Sequence, residues 1–368
     1  MKIAMLAHCH YPIAEPFGGG LEAHTWMVAN ELVRRGHAVT LFAKAGSRSR
    51  ARVHPVVDAD FLAGARDSAG HDPTHAIVDR GMTRAAEAVA AGSYDVILNN
   101  SLNPVPYTAY QERPMLTLLH TPATLARVNA VIEHPDWTPG RRHAYAAVSK
   151  ITRVDWQTVL SGVDIRWIPN GIDLDRWARP RAEPQERLAV WAARITPEKG
   201  LPLAIQACRM AGLRMAIAGP IADQRHFDRE VAPLMADDTR YVGHLTHDEL
   251  PGFLRQGSVF VSSPRWPEPF GLALVEAMAC GTPAAALPRG AAHEVVSAAG
   301  GVLASHSSAS ALANAIRRAA RLDRQAVRAS VLRFDHSAMV GAYEQVLTQL
   351  VDDATATPIA PIEDALAS

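Results

Sequence analysis

The chain is poor in cysteine. Its 368 residues include 3 cysteines, Cys9, Cys208 and Cys280. They show no CxxC spacing and no even set, which excludes a disulfide framework and fits a reduced, cytoplasmic setting. Neither charge is in excess: 37 Lys and Arg stand against 37 Asp and Glu. The overall charge therefore gives no nucleic-acid footprint, and no nucleic-acid partner is expected. No stretch approaches the roughly 18 apolar residues of a spanning helix. The N-terminal "MKIAMLAHCHYP" is a short strand-like run, then polar residues, without the apolar core and cleavage site of a signal peptide. Membrane contact is left only as peripheral, through a basic amphipathic face.

Apolar residues are not scarce. At 48% of the chain they exclude disorder and can fill substantial cores. The length suits about two domains of roughly 150 residues each. Short apolar runs alternate with helical segments. "KIAMLAH" reads as a buried strand and "AVTLFAK" as the next. Between them, Leu21, Thr25, Val28, Ala29 and Leu32 recur at helical spacing, and Gly36 is the natural stop. That is a βαβ unit, hence a parallel pair. Four more strands follow in this half, at "DVILNN", "MLTLLH", "YAAVS" and "IRWIPN". Residues 48–79 lack periodicity and read as irregular.

A second series begins after the Pro-punctuated "DRWARPRAEPQE". Its strands are "RLAVWAAR", "LRMAIAGP", "TRYVGHL", "SVFVSS", "PAAALP" and "GGVLA", with helices over about 308–322 and 337–351. The fold class is therefore α/β, two Rossmann-like domains facing each other across a cleft. Such sheets bind ligands beyond the carboxyl ends of their strands.

Three stretches carry chemistry. In "FGGGLEAH", Gly18, Gly19 and Gly20 separate the first strand from the first helix. Backbone N–H groups there can approach an anion, although a plain turn reads as well. The stretch is neither GxGxxG nor a P-loop. In "ARITPEKG", Arg194 and Lys199 can converge on a diphosphate, or simply be two solvated charges. In "EPFGLALVEAMACG", Glu276 interrupts an apolar run inside a helix entered at Pro269–Phe270–Gly271, with Glu268 in the preceding loop. The freed N–H groups of Phe270, Gly271 and Leu272 point ahead of that helix. A buried Glu is satisfied by two vicinal hydroxyls, by a nearby Arg or by facing solvent.

In this order and spacing, the motifs resemble the retaining glycosyltransferases of family 4, which have the GT-B fold. The resemblance runs from "GGGLEAHTWMVANELVRRGHAVTLFA" through "IPNGID" and "ARITPEKG" to "EPFGLALVEAMACGTP". It implies a nucleotide-diphosphate sugar as donor, no metal or other cofactor, and a small-molecule or lipid-linked acceptor. It assigns Glu268 to the donor sugar and Glu276 to the nucleotide ribose. Arg194 and Lys199 match the diphosphate pair. Gly19 and Gly20 match glycines facing that diphosphate from the other domain. His120 matches a histidine near the reaction centre. The chemistry implied is retention, with front-face attack favoured.

The same resemblance divides the chain. Residues 1–172 form the acceptor domain and 173–336 the donor domain. A helix over 337–351 crosses back to the first domain, and 352–368 is a flexible tail. A nucleotide-sugar 2-epimerase, a phosphorylase and a non-catalytic nucleotide-sugar-binding subunit are the alternatives. Two DxD triplets, Asp58–Asp60 and Asp173–Asp175, read as chance occurrences. His8 and His10 read as a polar loop at the cleft mouth, touching the acceptor together with His24.

Overall fold

The computed structural model describes residues 1–62, 72–178 and 183–356. The first half is a seven-stranded parallel sheet. Its strands are β1 (Lys2–Leu6), β2 (Ala38–Lys44), β3 (Arg52–Val57), β4 (Val96–Asn99), β5 (Met115–Leu119), β6 (His143–Ala147) and β7 (Ile165–Trp167). Their order is β3-β2-β1-β4-β5-β6-β7. The second half has six parallel strands: β8 (Leu188–Ala192), β9 (Arg214–Ala218), β10 (Thr239–Tyr241), β11 (Val259–Ser262), β12 (Ala284–Ala286) and β13 (Gly301–Leu303). Their order is β10-β9-β8-β11-β12-β13. Both sheets thus reverse direction beside their first strand, at β1/β4 and at β8/β11. Crevices open at such switch points.

The strands are apolar runs because helices cover both faces of each sheet. Ile3 of β1 pairs with Val39 on one side and Val96 on the other, and all three are buried. The helix α1 (Gly20–Arg34) lays Val28, Ala29 and Leu32 on the first sheet, and Gly36 follows it at φ +89°.

Residues 48–79, read as irregular from the sequence, hold regular elements where they are described, and 63–71 lie outside the described residues. They contain β3, and α2 (Thr74–Ala91) begins inside them. His54 and Pro55 break the apolar pattern of β3. That strand sits at the sheet edge, where a missing N–H is tolerated, and the β2–β3 register shifts at Ala43/Lys44.

The C-terminal helix runs over His336–Ala356. Its Met339, Val340, Tyr343, Val346 and Leu347 are buried in the core of the first half, with Ile3, Val28 and Leu98. The chain therefore returns to the domain in which it began. Of the tail expected to be flexible, residues 352–356 continue this helix, and the rest lies outside the described residues. Among the described residues, no helix is long and apolar enough to cross a membrane.

Candidate active site

A cavity of about 470 Å³ lies between the two sheets. Every residue that the sequence nominated lines it: Gly19, Gly20 and His120 from the first half, Arg194, Lys199 and Glu268 with Phe270, Gly271, Leu272 and Glu276 from the second. Most come from the two switch points, and His120 follows β5, two strands from β1. The glycines follow β1, Arg194 follows β8, and Glu268 follows β11.

Gly19 and Arg194 meet across the cavity. A Cβ on Gly19 would stand 3.8 Å from Arg194 Nε and 3.2 Å from Glu22 Oε2. A Cβ on Gly20 would stand 3.2 Å from Leu272 Cδ1. Gly19 is extended, at φ −177°, so it is required here for space and not for backbone conformation. Arg194 is half-buried, and no carboxylate among the described residues pairs with it. A guanidinium left so is free to bind an anion.

Lys199 is differently placed. Its Nζ donates to Glu268 Oε2 at 2.7 Å and to Oε1 at 3.0 Å. Trp266 Nε1 donates to the same Oε2 at 3.0 Å. The pair fixes the Glu268 carboxylate and cancels most of the Lys199 charge. Among the described residues, Arg194 is therefore the main uncompensated cation of the cleft.

The helix over Leu272–Ala279 starts from Gly271, which adopts φ +90° as its N-cap. That left-handed turn aims the helix N-terminus at the cavity. Glu276 is the fifth residue of this helix. Its side chain has no hydrogen-bond partner among the described residues, and burial pushes its carboxyl pKa up to about 7. A vicinal diol would supply the two donors it lacks.

His120 follows β5. Burial, and then the neighbouring His24 and His8, push its pKa well below the usual value, so it is neutral. Its Nε2 is buried without a partner. His24 packs edge-on against it, with ring centroids 4.6 Å apart, and lies 3.4 Å from the Tyr343 hydroxyl of the C-terminal helix. His24 is thus a buried wall residue of the cavity, 2% exposed. His8 and His10 do line the cavity from the loop after β1, with rings 4.1 Å apart. The DxD triplets lie elsewhere. Asp58 and Asp60 border a separate surface pocket with Arg80 and Arg84, and Asp173 and Asp175 do not line the cleft. No group of three His, Cys, Asp or Glu among the described residues is arranged to hold a metal.

Two family models match consecutive parts of the sequence. Glycosyltransferase Family 4 covers residues 18–176, and Glycosyl transferases group 1 covers 175–330. The chain is a GT-B glycosyltransferase of the family 4-like group. This glycosyltransferase is 28% identical to a glycogen synthase of Mycobacterium tuberculosis, over 77% of each chain. It is 26% identical to a D-inositol 3-phosphate glycosyltransferase of Mycolicibacterium smegmatis, over 77% of this chain and 75% of that one. Its fold is similar to sucrose-phosphate synthase from Thermosynechococcus elongatus, with a TM-score of 0.77 and 22% identity, covering 96% of this chain and 100% of that one. HepE of Anabaena, solved in complex with UDP and glucose, superposes with a TM-score of 0.70 and 22% identity, covering 95% and 100%.

The structure adds residues to the glycosyltransferase cleft that the sequence reading passed over. Glu22 is in the first turn of α1, 4% exposed, and lines the cavity. Its signal was present in "GGGLEAH": an acid in the first turn of a helix whose start faces a ligand. Trp266, two residues before Glu268, braces that carboxylate. His244, Leu245, His247 and Leu250 form a further part of the wall.

Proposed function

We propose that this glycosyltransferase moves a sugar from a nucleoside-diphosphate sugar to a hydroxyl acceptor, with retention and without a metal. The observation that carries it is the convergence of unpartnered groups on one cleft. Arg194 is set opposite Gly19 for a diphosphate, and Glu276 is set for a ribose diol. Glu268, held by Lys199 and Trp266, takes hydroxyls of the donor sugar. When the glycosidic bond to the diphosphate breaks, charge develops on phosphate oxygens. A fixed guanidinium and helix N–H dipoles stabilise it there without the reorganisation water would need. Neutral His120 accepts or donates a hydrogen bond at the sugar without adding charge. Retention rests on the family resemblance, with front-face attack in which the leaving phosphate takes the acceptor proton. The solved HepE complex makes UDP-sugars the first donors to try.

A thermal-shift screen of UDP-, GDP-, ADP- and TDP-sugars tests this directly. One nucleotide should raise Tm by mass action, unchanged by EDTA. Arg194→Ala should then slow transfer by about 10²–10³-fold, as loss of one transition-state donor does. A protein that no nucleotide stabilises, or an Arg194→Ala variant with full activity, would sink the reading. The anomeric configuration of the product, read by NMR, decides retention.

A further inference from the structure

Proline follows both Trp266 and Glu268 in "WPEPFG", which biases the two residues toward extended backbone. The Glu268 main chain has little room to shift. Its carbonyl accepts from the Ala291 N–H at 2.9 Å, and a Cβ on Gly290 would stand 2.1 Å from the same oxygen. The loop before it is tied to the loop after β8. The Arg265 N–H donates to the Glu198 carbonyl at 2.8 Å, and Ser263 Oγ donates to the Lys199 carbonyl at 3.1 Å. Trp266 and Lys199 therefore sit beside Glu268 as one unit, with Lys199 Nζ 5.4 Å from the centre of the indole. Both line the cavity. The carboxylate oxygens are used unequally. Oε2 accepts from Lys199 at 2.7 Å and from Trp266 Nε1 at 3.0 Å. Among the described residues, Oε1 accepts from Lys199 alone, at 3.0 Å. A carboxylate has about four acceptor sites, shared by its two oxygens, so the open one here is on Oε1.

We propose that Trp266 is a positioning residue that sets the sugar selectivity of the donor site. By filling Oε2 of Glu268 it leaves Oε1 to accept from one hydroxyl of the donor sugar, so that epimers at that carbon are rejected. This rests on the glycosyltransferase reading above and narrows the part of Glu268 from hydroxyls in general to one. Lys199 alone cannot impose the choice. An ammonium is a point charge with three rotatable donors, and it follows a carboxylate as that group turns. The indole N–H has one direction, fixed by a ring that the Pro-flanked loop holds in place, and it locks the carboxylate plane. Without it, Oε2 regains an open site and the carboxylate can turn to meet a hydroxyl placed elsewhere. Selectivity would then relax, because a site rejects an epimer by leaving a buried polar group unpaired, and a carboxylate free to turn avoids that penalty.

The experiment takes the nucleotide sugar found in the nucleotide screen, its epimers at each ring hydroxyl, and the nucleoside diphosphate alone. Donor hydrolysis gives kcat/KM without an acceptor, and calorimetry gives Kd. In the parent protein one epimer should be rejected by about tenfold or more, the scale of one hydrogen bond to a charged acceptor. Trp266→Phe, which keeps an aromatic ring and removes the N–H, should narrow that ratio to about threefold or less. The Kd of the nucleoside diphosphate should stay within about twofold, since a lost hydrogen bond on the sugar side leaves the nucleotide contacts in place. Glu268→Ala should narrow the ratio as well, and adding Trp266→Phe to it should change the ratio no further. A tryptophan that only supported the fold would weaken every ligand together and add to Glu268→Ala. An unchanged ratio in Trp266→Phe, or a further change on top of Glu268→Ala, overturns the inference. Should Trp266→Phe not fold, the parent carries the test by NMR. The Trp266 indole N–H signal should move more on adding the nucleotide sugar than on adding the nucleoside diphosphate, and equal shifts overturn the inference. If no nucleotide sugar is hydrolysed or bound, the glycosyltransferase reading fails and this inference falls with it. A donor that is turned over with additive variants sinks the inference alone.

Discussion

A carboxylate set among Leu274, Val275, Ala277 and Met278 loses much of its water, and no described residue gives Glu276 a hydrogen bond in return. Its folded pKa of about 7 lies above the ordinary 4.5. Between those values the folded state holds a proton that the unfolded chain releases. Stability therefore falls as pH rises from about 4.5 to 7 and is flat above, with a contribution of about 1–3 kcal/mol. Glu276→Gln should remove that slope, so that its advantage over the parent protein in chemical denaturation is larger at pH 8 than at pH 4.5. Equal pH profiles for the two proteins would refute the assignment. The same variant should weaken UDP about 10–100-fold, since hydrogen bonds to a charged acceptor are worth about 1.5–3 kcal/mol. Gly19 gives the complementary case. Its backbone is extended, so Gly19→Ala costs no strain, yet the new methyl would stand 3.2 Å from Glu22 Oε2 and 3.8 Å from Arg194 Nε. Tm should stay within a degree or two while donor KM rises about tenfold or more; a Tm loss with unchanged KM would contradict the role of space at this position.

The C-terminal helix is tied to α1 by charge as well as by packing. Glu344 accepts from Arg35 at 2.9 Å and pairs with His37 at 2.8 Å, while Arg35 also reaches Glu31 and the Ser337 carbonyl. Glu344→Ala would leave a half-buried Arg35 short of one partner. About 1–2 kcal/mol should be lost, read as a Tm lower by a few degrees. Truncation before Ser337 should cost far more, because it removes Tyr343 and Leu347 from the first core; an unchanged melting curve would exclude a clasp. Elements of this kind were legible in the sequence wherever burial on both faces made the pattern apolar. "AVTLFAK" is β2 residue for residue, and the strand runs of the second half all appear, shortened at their ends. β3 escaped because His54 and Pro55 are permitted on an edge strand. The cleft residues were legible as motifs, yet Glu22 was not. A helix-starting acid looks the same whether it favours its own helix dipole or a ligand, and only the fold around it tells them apart.

Between the two halves, the cleft is spanned by few polar contacts, and they sit beside it. Glu294 of the second half accepts the N–H groups of Lys150 and Ile151, at 2.7 and 2.9 Å, capping the helix over Lys150–Gln157 of the first half. The same helix reaches the Pro269 carbonyl through Thr152 Oγ1, one residue from Glu268. On another side, Arg176 bridges Glu15 and Asp248. A carboxylate on a helix N-terminus is favoured by about 0.3–1 kcal/mol when exposed, enough to bias an opening motion but not to lock it. Glu294 is therefore placed to hold the halves together at the very loop that carries Glu268. Glu294→Ala should leave each half folded, since water can take the freed N–H groups, but it should shift the population toward open. The radius of gyration of the apo protein, measured by X-ray scattering, should rise. Donor KM should increase about three- to tenfold, with saturating UDP restoring the compact form by mass action. If the variant scatters like its parent and keeps its KM, closure does not depend on this contact. The coupling between domain position and the Glu268 loop would then have to run through Thr152 and Pro269 alone.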